Sequence, residues 1–246
     1  MPRLLSSIVV LGLVTPAVLA FPVATPHAAV PHAVHPSVSH LALSALAARV
    51  SVAQGPALRR TAMGLAQTHT SSFTTVGVTW RHDPAVGTVE AQVRWRSSGS
   101  WSAWRSLAGD SDDAPDAGSR DAGPALRDGT APLWVGRADG VQVRVTSAGI
   151  GPRDMRVELV DPGSSAADTS VGTAPRDSAS ALESQPSILT RADWGADESL
   201  RRGNPSYTST VKVGFVHHTD TANDYSEAQT PAMIRSIYAY HVLSNG

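Results

Sequence analysis

The chain has 246 residues, of which 41% are hydrophobic, so it is long enough for one or two soluble domains that each bury a core. Its 20 basic and 21 acidic side chains give a formal net charge of -1. This balance, without a long basic run, argues against nucleic acid as the partner. Cysteine is absent, which excludes disulfide bonds and thiolate zinc cages within the chain.

The N-terminus predicts export. Arg3 is followed by an apolar stretch at 4–19 and then by small residues around Ala20, which is the order of a secretory signal peptide. A membrane anchor is the alternative, but Pro16 interrupts the stretch, and what remains is shorter than the ~20 residues of a spanning helix. We therefore expect a signal peptide at 1–20 and a secreted protein, extracellular or associated with the cell wall, without stable membrane insertion after cleavage.

Residues 21–70 are rich in Ala, Val, Pro and His and are interpreted as a weakly ordered pro-region or spacer. A tract with several histidines can bind metal ions. Solvated side chains are the favoured interpretation, because this segment has no cysteine or carboxylate that would fix a metal. Four histidines, His27, His32, His35 and His40, lie in its first part, 21–67.

Period-two alternation begins at Phe73 and predicts about six short strands, each with one polar face. These strands suit a small antiparallel β-sandwich over 71–160. The predicted strands lie at 73–80, 89–95, 101–107, 131–136, 141–146 and 155–159.

Three tryptophans of the predicted sandwich, Trp95, Trp101 and Trp104, could stack on sugar rings or pack in the core. Successive residues of a regular strand face opposite sides, so Trp101 and Trp104, three positions apart, cannot share one face of such a strand. At least one of them is therefore predicted in the core, and packing is favoured over glycan binding.

Two polar segments complete this part of the chain. The loop at 110–116 holds four aspartates, and it could bind calcium, but it lacks the glycine turn and terminal glutamate of a calcium loop, so a solvated turn is favoured. Residues 161–186 have no aromatic residue and almost no large aliphatic one, which predicts a disordered linker.

The last segment, 187–246, begins a new pattern. An every-second-residue pattern over 211–217 predicts a strand, with one face formed by Val211, Val213, Phe215 and His217. Neighbouring residues of a strand face opposite sides, so only one of His217 and His218 can ligate a given metal ion.

A helix is predicted after this strand. Thr230 can cap it, Pro231 suits its first turn, and Ile234, Ile237 and His241 recur at the spacing of one face, which we expect to be buried. For His241 a buried, hydrogen-bonded side chain is favoured over a metal ligand.

Three motifs in this segment carry a resemblance to a known family. They are Leu-Thr-Arg-Ala-Asp-Trp-Gly-Ala at 189–196, Phe-Val-His-His-Thr at 215–219, and the helix from Ile234 to His241 with Ser-Asn-Gly after it. In this order they resemble the N-terminal part of the zinc-dependent N-acetylmuramoyl-L-alanine amidases (type 2) that share a fold with peptidoglycan recognition proteins. The preceding sandwich looks like an extra domain that secreted bacterial members often carry.

The resemblance implies a multidomain fold: a small antiparallel β-sandwich followed by the incomplete N-terminal part of an α/β amidase domain, a mixed sheet with flanking helices. It implies Zn2+ as cofactor, peptidoglycan as substrate, and cleavage of the amide between N-acetylmuramic acid and the L-alanine of the stem peptide. His217 matches a zinc ligand of the family, and His218 matches a neighbour that supports the ligand or faces the substrate.

The remaining ligands and the catalytic residues are expected beyond Gly246. Because catalytic zinc normally needs three protein ligands, a C-terminally truncated and inactive chain is expected. The alternative is a non-catalytic recognition protein that binds peptidoglycan, and a third hypothesis makes the sandwich itself the module that binds the cell wall or a partner.

Overall fold

The computed structural model describes residues 32–45, 60–67, 69–109, 126–169, 188–201, 203–204, 207–214, 219 and 224–245. Eleven strands lie in these residues. They are β1 (Ser37–Ala42), β2 (Ser44–Ala45), β3 (Arg60–Gln67), β4 (Phe73–Arg81), β5 (Val89–Ser97), β6 (Ser100–Trp101), β7 (Arg105–Leu107), β8 (Arg127–Gly129), β9 (Leu133–Ala138), β10 (Gly140–Ala148) and β11 (Arg156–Asp161). One α-helix, α1, spans Thr230–Tyr240.

The strands form two antiparallel sheets. Sheet A has the order β1-β11-β4-β8, with β9 also paired to β4. Sheet B has the order β2-β3-β10-β5-β6, with β7 also paired to β5. Consecutive segments of the chain therefore alternate between the two sheets, as in a sandwich.

The core lies between the sheets, and seven of its 15 buried residues are valines, most of them at alternate positions of a strand. Val76 and Val157 point inward from sheet A, and Val93 and Val143, which are opposite each other in register, point inward from sheet B. None of these four side chains is more than 2% exposed. Each such burial contributes about 1.5–3 kcal/mol, so this alternation is the main reason that these segments form strands.

The outer face of sheet A is covered by α1. Val160 of β11 packs against Ala239 and Tyr240, and all three are completely buried. The Tyr240 ring lies over Gly77 of β4. A Cβ added at Gly77 would be only 2.6 Å from Cζ of Tyr240. The Tyr240 hydroxyl donates a hydrogen bond to the backbone oxygen of Thr130 at 2.7 Å. Glycine at position 77 thus makes room for the helix.

Arg235 of α1 joins three parts of the chain. Its guanidinium, 1% exposed, donates to both carboxylate oxygens of Asp168 at 2.8 and 2.9 Å. It also donates to the backbone oxygens of Pro162, Gly163 and Trp194 at 3.1, 3.3 and 2.7 Å. These five hydrogen bonds use all the N–H groups of the side chain.

The predicted fold class is wrong for the C-terminal segment. In place of a mixed sheet with flanking helices, the described residues after 187 contain no strand, and their one α-helix packs on sheet A. The predicted strand at 211–217 is irregular over its described part, 211–214, where Val211 is 87% and Val213 60% exposed. A strand needs a neighbour for its backbone groups, and no described strand pairs with this stretch.

The predicted buried face of α1 is also wrong. Ile234 is 37% exposed, whereas Met233, Ser236 and Ala239 are buried. The helix turns this other face to the sheet, where the Ser236 hydroxyl lies 3.3 Å from that of Thr74 and the Tyr240 ring packs over Gly77. His241 follows α1, and its ring meets that of Tyr240 edge to face at 5.6 Å.

Strands overlap each of the six predicted ranges between 73 and 160, but the range 101–107 is divided into β6 and β7, and β8 was not predicted. β1, β2 and β3 lie in the range 21–70 that was interpreted as a weakly ordered spacer. A 3-10 helix at Ala166–Thr169, which holds Asp168, lies in the range predicted as a disordered linker. No described helix is long and apolar enough to cross a membrane, and the predicted signal peptide at 1–20 lies outside the described residues.

Candidate functional site

The outer face of sheet B carries a ladder of polar side chains. Arg94 of β5 lies opposite Gln142 of β10, and its Nε donates to Gln142 Oε1 at 2.5 Å. Arg144 lies opposite Gln92 and donates to Gln92 Oε1, also at 2.5 Å. The two arginines are thus fixed in position by neighbours in the adjacent strand.

Two tryptophans lie on these arginines. The Arg94 guanidinium carbon is 5.2 Å from the ring centroid of Trp101 and 5.1 Å from that of Trp104. Arg144 lies 4.3 Å from the Trp104 ring, which is therefore in contact with both cations. Such contacts are worth about 0.5–1 kcal/mol each at exposed sites. We call Arg94, Trp101, Trp104 and Arg144 the Trp-Arg face.

Local backbone geometry brings both tryptophans to this face. Ser98 and Gly99, with φ of 50° and 80°, form the two-residue turn between β5 and β6, and two positive φ values are typical of a type I′ hairpin. Beyond β6, Ser102 is bonded to Trp95 through both its N–H, at 2.8 Å, and its hydroxyl, at 3.1 Å. Residues 102–104 then form no strand, so strict alternation stops before Trp104.

The prediction that Trp101 or Trp104 belongs to the core is therefore wrong. Both are half-buried against arginines, and neither is part of the core cluster, whereas Trp95 packs against it. The alternation argument fails because it assumed one regular strand through both positions. The Ser-Gly turn was visible in the sequence, but the strand break at 102–104 was not.

The face can bind ligands in two ways. Indole rings present an apolar surface to the C–H groups of a flat ligand, and guanidinium groups bind carboxylates with paired hydrogen bonds. Arg144 is exposed and Arg94 is half-buried. Arg96 continues the ladder, but its charge is partly balanced by Asp139 at 2.9 Å. The surface is therefore aromatic and cationic.

The residues predicted to bind zinc are not part of this surface. His217 and His218 lie outside the described residues, as does the aspartate loop at 110–116. Within the described ranges, no group of three or more His, Cys, Asp or Glu side chains could hold a metal ion.

Two histidines of the predicted spacer have partners that sequence reasoning missed. His35 Nδ1 lies 2.6 Å from Asp197 Oδ2, and His40 Nδ1 is bonded to Glu158, which is completely buried. The carboxylates are 162 and 118 residues away in sequence, so no local pattern could indicate these pairs. Both histidine side chains remain well exposed to solvent.

The Asp197 carboxylate, which pairs with His35, has a lowered pKa. The hydroxyl of Ser199 donates to it at 2.6 Å and is the main reason that its pKa is lowered from the ordinary value. The hydrogen bond with His35 acts in the same direction, while burial of the carboxylate opposes both.

Two packed antiparallel sheets with one covered and one open outer face define a β-sandwich domain. Residues 28–182, well over half of the chain, match the family described as Rv3811 N-terminal galactose-binding domain-like, and the chain belongs to this family. The matched range includes β1 and the 3-10 helix that holds Asp168. No curated protein and no solved structure matches the chain.

This match overturns the resemblance to zinc-dependent amidases. The matching family is galactose-binding domain-like, and it is neither an amidase nor a peptidoglycan recognition family. The motifs behind the resemblance encode a capped turn, an alternating stretch and a helix start, which are local structures that many folds share.

Proposed function

We propose that this protein is secreted and binds peptidoglycan through the Trp-Arg face. The observation that carries the proposal is the contact of the Trp104 ring with both Arg94 and Arg144 on the open side of sheet B. The other outer face, on sheet A, is occupied by α1. The Trp-Arg face is thus an ordered surface of the sandwich that is turned to solvent.

The chemistry of this face suits an acidic glycan. Peptidoglycan combines sugar rings, whose C–H faces pack on indole, with lactyl-linked peptides that carry carboxylates, which pair with guanidinium groups. The chain has a net charge of only -1, so attraction depends on this local cluster and not on the overall field of the protein. A family described as galactose-binding domain-like agrees with a saccharide ligand, and the predicted signal peptide agrees with a location at the cell wall.

Sedimentation of the full chain with purified peptidoglycan tests the proposal. We expect Trp104→Ala to weaken binding roughly 30-fold, which corresponds to the ~2 kcal/mol of a central tryptophan in a binding surface. Trp194→Ala is the matched control, since Trp194 also lies against an arginine, Arg191 at 5.1 Å, but in the segment after the linker. Equal binding by Trp104→Ala and the unchanged chain, with circular dichroism confirming the fold, contradicts the proposal.

The charged half of the face has a separate test. Arg144→Ala is expected to weaken binding and to reduce its dependence on salt concentration, because a pairing cation is lost. Arg153→Ala is the control, as Arg153 is 73% exposed and pairs with Asp83 away from this face. If both variants lose the same amount of binding, the interaction is a general charge effect and the specific role of the face is refuted.

Hydrolysis is a separate prediction. Cleavage of the N-acetylmuramoyl-L-alanine amide with zinc at His217 stays a sequence-based prediction, since the described residues do not include His217 or His218. The proposed binding does not require it: a protein that binds peptidoglycan without cleaving it is sufficient for the Trp-Arg face.

A further inference from the structure

The two arginines of the Trp-Arg face have no carboxylate partner. Among the residues that the structure describes, no Asp or Glu side chain forms an ion pair with Arg94 or Arg144, and each is bonded instead to a neutral glutamine. Six other arginines do pair with a carboxylate, namely Arg96, Arg127, Arg153, Arg156, Arg191 and Arg235. The charge of the face is therefore not neutralised within the described part of the chain.

These two like charges lie close to each other. In the register of β5 and β10, Gln142 is opposite Arg94 and Gln92 is opposite Arg144, so the two arginines are diagonal neighbours on one face of sheet B. Both guanidinium groups also contact the ring of Trp104. Like charges at such a separation repel each other, and an anion that binds both removes this repulsion. The arrangement therefore favours an anionic ligand.

Each arginine keeps N–H groups for such a ligand. The bonds to glutamine use Nε only, and no hydrogen bond to another described residue involves the terminal nitrogens of Arg94 or Arg144. A guanidinium group that lies over an aromatic ring still donates in its own plane, and its paired N–H groups match the two oxygens of a carboxylate. Arg144 is exposed, so a ligand reaches it directly from solvent.

A carboxylate and its amide differ in both properties that matter at this site. The amide is neutral, and it offers one acceptor oxygen where the carboxylate offers two. In a paired contact the NH2 group of the amide would face a guanidinium group, which can only donate. Because hydrogen bonds between ionised groups are roughly twice as strong as neutral ones, the face should bind the free acid more tightly than the amide.

We propose that the Trp-Arg face recognises the free carboxylates of the peptidoglycan stem peptide and binds the corresponding amides much more weakly. This proposal rests on the function proposed above, and it adds which part of the polymer determines binding. The carboxylates pair with Arg94 and Arg144, while Trp104 packs against neighbouring C–H groups of the ligand.

Sedimentation of the full chain with two forms of peptidoglycan, one intact and one with its carboxylates converted to amides, tests the proposal. We expect amidation to weaken binding about 10- to 100-fold, the effect of losing a hydrogen-bonded charge pair. A synthetic stem peptide at millimolar concentration should release the bound chain. Its amidated form and inorganic phosphate, each at the same concentration, should not.

Paired variants test whether the two arginines are responsible. Arg94→Gln combined with Arg144→Gln should bind intact and amidated peptidoglycan equally, with circular dichroism confirming the fold. The matched control is Arg81→Gln combined with Arg153→Gln. It removes the same charge from two exposed arginines outside this face, which are neighbours because the N–H of Arg81 donates to the backbone oxygen of Arg153 at 2.9 Å. This control should keep the full preference for intact peptidoglycan.

Equal binding of intact and amidated peptidoglycan by the unchanged chain would overturn this proposal alone, because binding itself would persist. A preference that survives in the Arg94 and Arg144 double variant would also overturn it. An equal loss of preference in the control pair would indicate a general charge effect, and release by phosphate as effective as release by the peptide would indicate a general anion site; either result would refute the proposal. No binding to intact peptidoglycan would overturn the proposed function as well.

Discussion

The buried ion pair of Arg235 offers a direct test of how the C-terminal helix is attached. Arg235→Met keeps most of the volume of the side chain but removes all five of its hydrogen bonds. Asp168 then loses its charged partner and keeps only the N–H of Ser165, and three backbone oxygens lose the hydrogen bonds from Arg235. We expect α1 to separate from the sandwich more easily.

The expected loss in the free energy of unfolding is about 3 kcal/mol. Removal of one partner from a buried ion pair typically costs 3–5 kcal/mol. The lower end applies here because Asp168 is 15% exposed and can be hydrated once Arg235 is gone, whereas Arg235 is only 1% exposed. By the same reasoning Asp168→Asn, which leaves the more deeply buried cation without its carboxylate, should cost at least as much.

Urea denaturation followed by tryptophan fluorescence, with limited proteolysis of the same samples, measures this loss. Arg201→Met is the control, since Arg201 is 46% exposed and lies 3.6 Å from Glu198. The double variant of Arg235→Met and Asp168→Asn should lose less than the sum of the single variants. Additive losses, or an Arg235→Met loss no larger than that of the control, would refute the reasoning.

Further predictions address the helix contact, pH and zinc. Gly77→Ala should cost about 1–3 kcal/mol by chemical denaturation, because its Cβ overlaps a tyrosine ring. Gly214→Ala, whose Cβ would meet no atom of the described residues within 4 Å, should have no effect. The pKa of Asp197 is lowered in the folded state, so its stabilisation is complete above the ordinary value of about 3.9 and disappears as the pH falls through and below it. The loss in free energy of unfolding caused by Asp197→Asn should therefore be largest at neutral pH and should disappear in acid, with Glu198→Gln as control. A loss that does not change with pH would contradict this reasoning. Because catalytic zinc normally needs three protein ligands, we expect this chain to bind Zn2+ weakly or not at all by calorimetry and to release no stem peptides from peptidoglycan; tight zinc binding that His217→Ala removes would contradict this expectation.

The strands between 73 and 160 could be predicted because their burial follows sequence period two directly. Val93 and Val143 are core residues for the reason that the alternation indicates, and no distant information is needed to place them. The covering of sheet A could not be predicted in this way. It depends on Gly77, Arg235 and Tyr240, whose roles exist only once segments far apart in sequence meet.

The candidate functional site likewise combines features that the sequence predicts with features that it does not. The sequence identified Trp101 and Trp104 as possible sugar-stacking residues, but strict alternation assigned at least one of them to the core. Both reach the surface because three residues leave the strand after β6, a change that local patterns do not reveal.

The N-terminal end of the sandwich and its C-terminal helix hold each other in place. The N–H of Val34 donates to the backbone oxygen of Gly195 at 3.0 Å, and His35 pairs with Asp197 just beyond. Arg235 of the helix is next to this contact, because it donates a hydrogen bond to the backbone oxygen of Trp194, the residue before Gly195. A protease that trimmed the chain past His35 would therefore loosen a helix two hundred residues away. A fragment of residues 70–160 would lack these contacts together with β1 and β3, so binding studies require the longer chain.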